Sequence, residues 1–330
     1  MFKQNIVATS GAQIKFAYLV SAVAIVALLM VASHITSGNF LKPNNIINVA
    51  NQAVVLSLLA TGMCFVMVGG GIDLSMPSVL AISAILGAIY MRDQQEVIGG
   101  LAVMAAVGFA TGLLNGISVA VFGMAPFVVT LATTTVAGGA AVWLTQSQSI
   151  SGFPLILTDI VTTRALNVPL SVWFALSVVA VATIVMGRTA FGRQVQAVGL
   201  NSKAAQVARI PVRKVILATY VISGLMAAAA GALSVARLGS ASALMGADSL
   251  MLDTISACVI GRVSVYGGVG RPAMAAIGAL MITIISNLLN QMGVSFSVNL
   301  IVKGMIIDYS KLTVVLPSLI DRWNREVISN

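Results

Sequence analysis

The chain has 330 residues, of which 58% are hydrophobic and only 8% charged, and its mean hydropathy is +1.02. A soluble protein of this size needs far more charge to cover its surface, so the composition excludes a soluble enzyme, a disordered chain and a secreted disulfide scaffold. In so apolar a chain, the net charge of +9 indicates the basic bias of cytoplasmic membrane loops and not a nucleic-acid partner.

Apolar runs of the length that crosses a bilayer, about 20 residues each, recur along the whole chain. They predict an all-α polytopic membrane protein with about ten transmembrane helices, some of them short and interrupted by glycine. We expect residues 1–330 to form a single transmembrane domain, with the first run retained as a helix because its apolar core is longer than that of a usual signal peptide. The predicted spans are 16–36, 48–69, 76–91, 97–122, 126–146, 168–187, 215–238, 250–266, 272–292 and 296–316.

Two short spans adjoin glycine clusters: GGGIDLSMP precedes 76–91, and GRVSVYGGVGRP follows 250–266. Interrupted segments of this kind are enclosed by protein, because their freed backbone groups cannot face lipid. We expect Asp73 to cap the helix after the first break and not to act through its charge. The break or gate candidates are Gly69, Gly70, Gly71, Asp73, Ser75, Gly267 and Gly268.

Small residues at a spacing of four mark two of the predicted spans and predict close packing of their helices against neighbours. These residues are Gly108, Gly112 and Gly116 in one span and Ser223, Ala227 and Gly231 in the other.

The longest hydrophilic stretch, 188–214, contains basic residues but no acidic one, which places it in the cytoplasm. Counting spans outward from this loop places both termini in the cytoplasm as well. On that model twelve of the 18 Lys and Arg residues lie inside and four outside, which supports the count.

The same loop has the pattern of a docking element. Asn201 or Ser202 is placed to cap a short helix that Pro211 ends, and small residues give this helix a face for close approach. Alternatively, the basic residues serve only to fix the topology. We favour docking, and the candidate residues are Asn201, Ser202, Ala204, Ala205, Ala208 and Arg209.

Signatures of catalysis and of nucleotide binding are missing from the sequence. It has no G-x-x-x-x-G-K-[ST], no HExxH and no GxSxG, and Cys64 and Cys258 have no metal-ligand spacing. We therefore expect no catalytic residue, no metal and no cofactor in this chain. Uncharged polar residues in the spans suit a neutral, hydroxylated cargo, and the candidates for its path are Asn51, Thr61, Asn115 and Thr130.

Four motifs resemble the permease subunits of bacterial ABC importers for monosaccharides, the family of the ribose, arabinose, galactose and xylose permeases. They are GGGIDLS (69–75), NGISVAVFGMAPFVVTLAT (115–133), TAFGRQVQAVGLNSKAAQVARIPV (189–212) and ISACVIGRVSVYGGVGRP (255–272). The resemblance implies inner-membrane import of a pentose or hexose from a periplasmic sugar-binding protein. It also implies a second permease chain, identical or not, and a separate ABC ATPase that holds ATP and magnesium and receives the helix at about 201–210.

The chain departs from that family at two places. Gly261-Arg262 stands where a Gly-Gly pair is usual, and IDYSKLTVVL at 307–316 is more polar than the usual aliphatic run. An ion-coupled secondary transporter of a small neutral solute is the alternative function.

Overall fold

The computed structural model describes residues 40–154, 156–246, 248–295 and 297–305, and isolated positions at 27, 30, 31, 34 and 38. Two compact units are distinguished, Ile47–Leu280 as one and the two terminal segments Met1–Ile46 and Met281–Asn330 as the other. In the described part of the chain, β-structure is limited to one hairpin of two strands with two residues each and to one isolated bridge between Ile150 and Ala241.

The helices are α1 (Pro43–Val68), α2 (Met76–Gln94), α3 (Val97–Ala120), α4 (Pro126–Thr145), α5 (Ile156–Thr162), α6 (Leu170–Arg188), α7 (Ala190–Leu200), α8 (Ser202–Val207), α9 (Val212–Leu238), α10 (Asp248–Ile260) and α11 (Pro272–Gln291). Strands β1 (Arg164–Ala165) and β2 (Val168–Pro169) pair between α5 and α6, and a 3-10 turn at Ala243–Gly246 precedes α10.

The predicted polytopic all-α fold is confirmed, since eight segments of the described chain are long and apolar enough to cross a membrane. They correspond to the second to ninth predicted spans. The first, 16–36, and the last, 296–316, lie largely outside the described residues. The predicted span 250–266 is too long: α10 ends at Ile260, and Arg262 then has a φ of 60°, which no helix continues through. The α5 helix and the β1–β2 hairpin were not predicted.

Burial separates the helices of the larger unit into interior and peripheral ones. In the most apolar 18-residue stretch of α1 and of α2, 83% and 72% of the residues are buried, whereas only 22% are buried in the corresponding stretches of α3 and α4. A peripheral helix that exposes apolar side chains is stable in lipid, because the acyl chains replace protein contacts. The interruption between α1 and α2 is therefore held in the interior.

The glycine stripe of α3 packs closely against a neighbouring helix as predicted, and that helix is α9. A Cβ on Gly108 would collide with the carbonyl oxygen of Gly224, and one on Gly112 with that of Tyr220. On α9 the matching face is Tyr220, Gly224 and Ala228. Gly231, from the predicted α9 stripe, instead lies against the backbone of α2. Thus α9 has two small-residue faces, and each brings a neighbouring helix within backbone contact.

Asparagine pairs join the described parts of the smaller unit. The Asn45 and Asn287 amides donate to one another's Oδ1, at 3.0 and 3.1 Å, and Asn45 also donates to the Phe40 carbonyl at 2.9 Å. Asn299 donates to Asn290 Oδ1 at 3.2 Å. Such pairs satisfy amide groups that hydrocarbon cannot.

Candidate functional site

Two loops and the last turn of α7, which are far apart in sequence, meet at glycine residues, which we call the glycine junction: Gly70, Gly199, Gly267 and Gly268. The amide of Gly268 donates to the carbonyl of Val68 at 2.8 Å. Gly199 lies so close that a Cβ on it would collide with that carbonyl oxygen and with the amide of Gly268. Gly70, Gly267 and Gly268 have φ values of 86°, 90° and 77°, a region that favours glycine. The contacts are therefore backbone to backbone.

A cavity of about 490 Å³ lies beside the junction. Its walls come from the first break, the α7–α8 connection, the first half of α9 and the loop after α10. The lining includes Gly69, Gly70, Gly71, Gly199, Leu200, Asn201, Ser202, Lys203, Thr219, Tyr220 and Tyr266. The break candidates Gly69, Gly70, Gly71, Gly267 and Gly268 and the capping residues of α8 are thus brought to one place.

Asp73 is the buried acidic group of this region, with 1% of its surface exposed. Its Oδ1 accepts from the amide of Ser75 at 3.0 Å and from the Ser75 hydroxyl at 2.5 Å, and its Oδ2 accepts from Ser223 on α9 at 2.6 Å. Asn115 on α3 donates to Ser75 Oγ at 2.9 Å and accepts from Thr133 on α4 at 2.6 Å. This Asp73 network ties three transmembrane helices, α3, α4 and α9, to the break.

The cap expected of Asp73 is only partly right. Ser75 is the N-cap residue of α2, its side chain makes no capping hydrogen bond, and Asp73 binds the Ser75 amide from two residues upstream. Asp73 is therefore as much a link between helices as a cap. Asp73 lies between two spans, and burial raises the pKa of its carboxyl while hydrogen bonds from Ser223 and Ser75 oppose that rise.

Threonines of α4 and a tyrosine of α9 satisfy carbonyl groups of the break. Thr134 Oγ1 lies 3.0 Å from the Leu74 carbonyl and 2.8 Å from the Thr130 carbonyl of its own helix, so its one proton is shared between them. Thr130 Oγ1 donates mainly to the Pro126 carbonyl at 2.9 Å, and it and the Tyr220 hydroxyl lie 3.5 and 3.4 Å from the Ile72 carbonyl. The Leu74 and Ile72 carbonyls have no place in a helical ladder, so side chains complete their hydrogen bonding.

The path candidates do not line one continuous surface. Asn115 belongs to the Asp73 network, Thr130 serves the break, and Asn51 accepts from Ser171 on α6 at 2.9 Å. Thr61 Oγ1 is buried and makes no hydrogen bond to the described residues. Asn51 and Asn115 therefore bond to another helix and Thr130 reaches the break, and a role of any of the four in transport stays a prediction.

The predicted short helix of the basic loop is present as α8. Asn201 caps it, because its side chain accepts from the Ala204 amide at 3.0 Å, and Ser202 is its first residue. Pro211 does not end it. The helix ends at Val207, and Arg209 has a φ of 59° that turns the chain toward α9, for which Pro211 is the N-cap.

The predicted alanine face of α8 is wrong in one member. Ala205 is 4% exposed and faces its own chain, whereas Ala204 and Ala208 are exposed. The prominent apolar side chains outside are Val207, 86% exposed, and Leu200, 69% exposed. A partner of this element would therefore meet Leu200 and Val207, not Ala205.

Sequence reasoning missed the role of three residues that the structure brings into this region: Gly199, Ser223 and Tyr266. Gly199 stands in a recognised motif, but its neighbours lie more than sixty residues away in sequence. Ser223 was identified only as a packing residue. Tyr266 could have been identified from the sequence, because an aromatic residue beside the Gly267-Gly268 pair in a loop indicates a contact site.

Comparison with a family model gives a match to residues 45–308, for a family described as "Branched-chain amino acid transport system / permease component". The matched range contains α2 to α11, the glycine junction and α8.

Curated relatives match most of the chain. The ribose import permease protein RbsC of Bacillus subtilis (strain 168) is 35% identical over 282 residues, which are 85% of this chain and 87% of that protein. The D-allose transport system permease protein AlsC of Escherichia coli (strain K12) is 33% identical, over 81% of this chain and 82% of its own. The autoinducer 2 import system permease protein LsrD of Salmonella typhi is 27% identical, over 89% and 90%. No solved structure gives a significant match.

Proposed function

This chain belongs to the permease-component family whose model spans residues 45–308, and we propose that it is the membrane-spanning permease of an ATP-driven ABC importer for a pentose or hexose. The observation that carries the proposal is its likeness to a ribose and a D-allose permease along at least 81% of its length. The cargo passes from a periplasmic sugar-binding protein to the cytoplasm across a bacterial inner membrane. Family membership favours this function over an ion-coupled secondary transporter.

The described interior suits a neutral cargo. The buried Asp73 carboxylate is hydrogen-bonded to Ser75 and Ser223, and its neighbours in the network, Asn115 and Thr133, are uncharged. Hydroxyl and amide side chains inside the bundle, among them Asn51, Thr61, Asn115 and Thr130, are the groups that a sugar exchanges for water. We propose these four as path residues.

The partner ATPase docks on α8. Val207, the last residue of α8, and Leu200, the last residue of α7 directly before the α8 cap, are apolar and exposed. A rigid apolar projection is the kind of feature that a hydrophobic groove accepts. Exposed Lys203 and Arg209 flank it. ATP and magnesium belong to that ATPase, and this chain holds no cofactor. The coupling residues are Asn201, Ser202, Ala204, Ala208 and Arg209, with Ala205 supporting α8 from within.

The side that bears the glycine junction is the cytoplasmic side, and both termini lie there. Counting the predicted spans from the basic loop 188–214 places the loops around 69–75 and 261–271 on the same side, and the contacts of all three at the junction support that count. A sugar-binding protein docks on the opposite side, and a second permease chain completes the translocation unit within the lipid bilayer.

Reconstitution tests the function directly. The tagged permease is purified from its native membrane with its bound subunits, placed in proteoliposomes that contain ATP, and supplied outside with its binding protein and labelled ribose, allose or galactose. We expect accumulation of at least one of these sugars that needs ATP and the ATPase, and no accumulation with an ion gradient alone.

Two results contradict the proposal. Uptake by the permease alone in response to a proton or sodium gradient would identify a secondary transporter. Failure of an ATPase to co-purify, together with ATP-independent uptake, would reject the ABC assignment.

A further inference from the structure

We propose that the loop between α10 and α11, residues 261–271, is a second contact of the permease with the ATPase, and that Tyr266 is its anchor. The inference rests on the proposed function, because it needs α8 to be the docking element. It adds a second surface that neither the family match nor the names of the relatives assign.

The first observation is the exposure of this loop. Tyr266 is 90% exposed, and Val269 beside it is 60% exposed. The loop lies outside the helices that cross the membrane, so lipid hydrocarbon does not account for its apolar surface. A large aromatic side chain that projects from a loop is the residue type most enriched among the anchors of protein interfaces.

The second observation is the continuity of the loop with α8. Gly268 lies against the Leu200 side chain, and Gly267 lies against the Gly199 carbonyl. Tyr266, Ser202 and Lys203 line the same cavity. A partner that covers Leu200 and the start of α8 therefore reaches Tyr266 without a gap.

The third observation is the rigidity of the loop. The Ser264 amide donates to the Val269 carbonyl at 2.8 Å, the Tyr266 amide to Ser264 Oγ at 3.2 Å, and the Gly267 amide to the Ser264 carbonyl at 3.3 Å. The Gly268 amide fixes the loop to Val68 at the end of α1. A side chain on a backbone fixed before binding loses little entropy when a partner seats on it.

The hydrogen bond between the Gly268 amide and the Val68 carbonyl favours the ATPase over lipid or a second permease chain as the partner of this loop. Lipid headgroups or a second permease chain would need only an exposed tyrosine, whereas here the loop is fastened both to the docking helix and to the break before α2. One partner seated on α8 and Tyr266 would hold both loops, and through the junction it would hold the break. The Gly199 contacts thus join the two halves of a single docking surface.

Photo-crosslinking tests the contact in the complete transporter. A benzoylphenylalanine at position 266 should crosslink to the ATPase, as should one at position 207. Trp143, 71% exposed, is the matched control. It lies about 25 Å along α4 from Pro126, which lines the junction cavity, and it should crosslink to lipid. Crosslinks from 266 only to lipid, or only to the other permease chain, would overturn the inference.

Binding measurements with purified ATPase separate this inference from the proposed function. We expect Tyr266→Ala to weaken ATPase binding about tenfold or more, and Tyr266→Phe to change it less than about threefold, at unchanged melting temperature. If Val207→Glu abolishes binding and Tyr266→Ala leaves it intact, the second contact is wrong and the docking helix stands. If neither variant affects binding, the proposed docking function fails as well.

Discussion

Two polar interruptions of this apolar chain, the break at residues 69–75 and the α8 segment at 201–209, have opposite surroundings. In the break, Asp73 and Ser75 are each 1% exposed and hydrogen-bonded to other helices. In α8, Val207 is 86% exposed, and the capping bond of Asn201 stays within its own turn. Similar local signals therefore encode a buried link in one place and an outward projection in the other.

The difference shows what decides the environment of such a segment. The break returns the chain directly into α2, whose neighbours supply the serine, asparagine and threonine partners that its polar groups require. The α8 segment caps its own first turn, so the polar groups of that turn need no partner from other helices. Changes in the break should therefore unfold the permease, whereas changes on the exposed side of α8 should only separate it from a partner.

The largest effect on stability is expected at the junction between these regions. Gly199→Ala places a methyl group on the backbone of Val68 and Gly268, and we expect a loss of about 3 kcal/mol or more. Gly187→Ala is the control, because no atom lies within 4 Å of its added methyl group and a helical alanine gains about 0.5–1 kcal/mol. Melting temperatures in detergent should move in opposite directions. Equal shifts would show that the junction contact is loose.

The second effect tests the buried link. Asp73→Ala leaves the Ser75 amide and the Ser75 and Ser223 hydroxyls without their acceptor, and we expect a loss of about 2–3 kcal/mol. Asp73→Asn keeps an oxygen for the amide, and either serine can accept from its new N–H group, so the loss should be about 1 kcal/mol. Denaturation of the two variants in parallel measures the difference. A collapse of sugar uptake in Asn with stability intact would instead assign the carboxylate a role in gating.

The third prediction compares the buried side of α8 with its exposed side. Ala205 is 4% exposed, so Ala205→Glu should cost about 1–2 kcal/mol, whereas Ala204→Glu on the exposed side should stay within about 0.5 kcal/mol. Thermal melting of the two isolated permeases compares them. Equal destabilisation by both variants would mean that α8 is covered by its own chain.

The smallest effect concerns the unusual Arg262. Its φ of 60° is a conformation that costs a non-glycine residue energy, so Arg262→Gly should raise stability by about 0.5–1 kcal/mol. Arg262→Ala keeps the strained backbone while removing the charge, and it should give no such gain. A lower melting temperature for the glycine variant would show that the arginine side chain has a stabilising contact.

The sequence predicted correctly those features that depend only on residues close to one another in the chain. Run length predicted the spans, and the position of Asn201 predicted the α8 cap, because a cap involves atoms three residues apart. The Ser223 partner of Asp73 lies 150 residues away, so no local pattern identifies it. The burial of Ala205 depends on how α8 rotates against the rest of the chain, and a six-residue helix is too short for its sequence to fix that rotation. The glycine junction was not predicted because its residues are far apart in sequence, although three of its four glycines were candidates.

The binding of purified ATPase to Val207→Glu tests the central claim most directly, because Val207 is the most exposed apolar residue of α8 and contributes nothing to the described interior. Permease in nanodiscs is titrated with ATPase, and its melting temperature is recorded on the same sample. We predict that binding weakens by more than about tenfold while the melting temperature stays that of the parent protein. Unchanged ATPase affinity in a normally folded Val207→Glu permease would contradict the account.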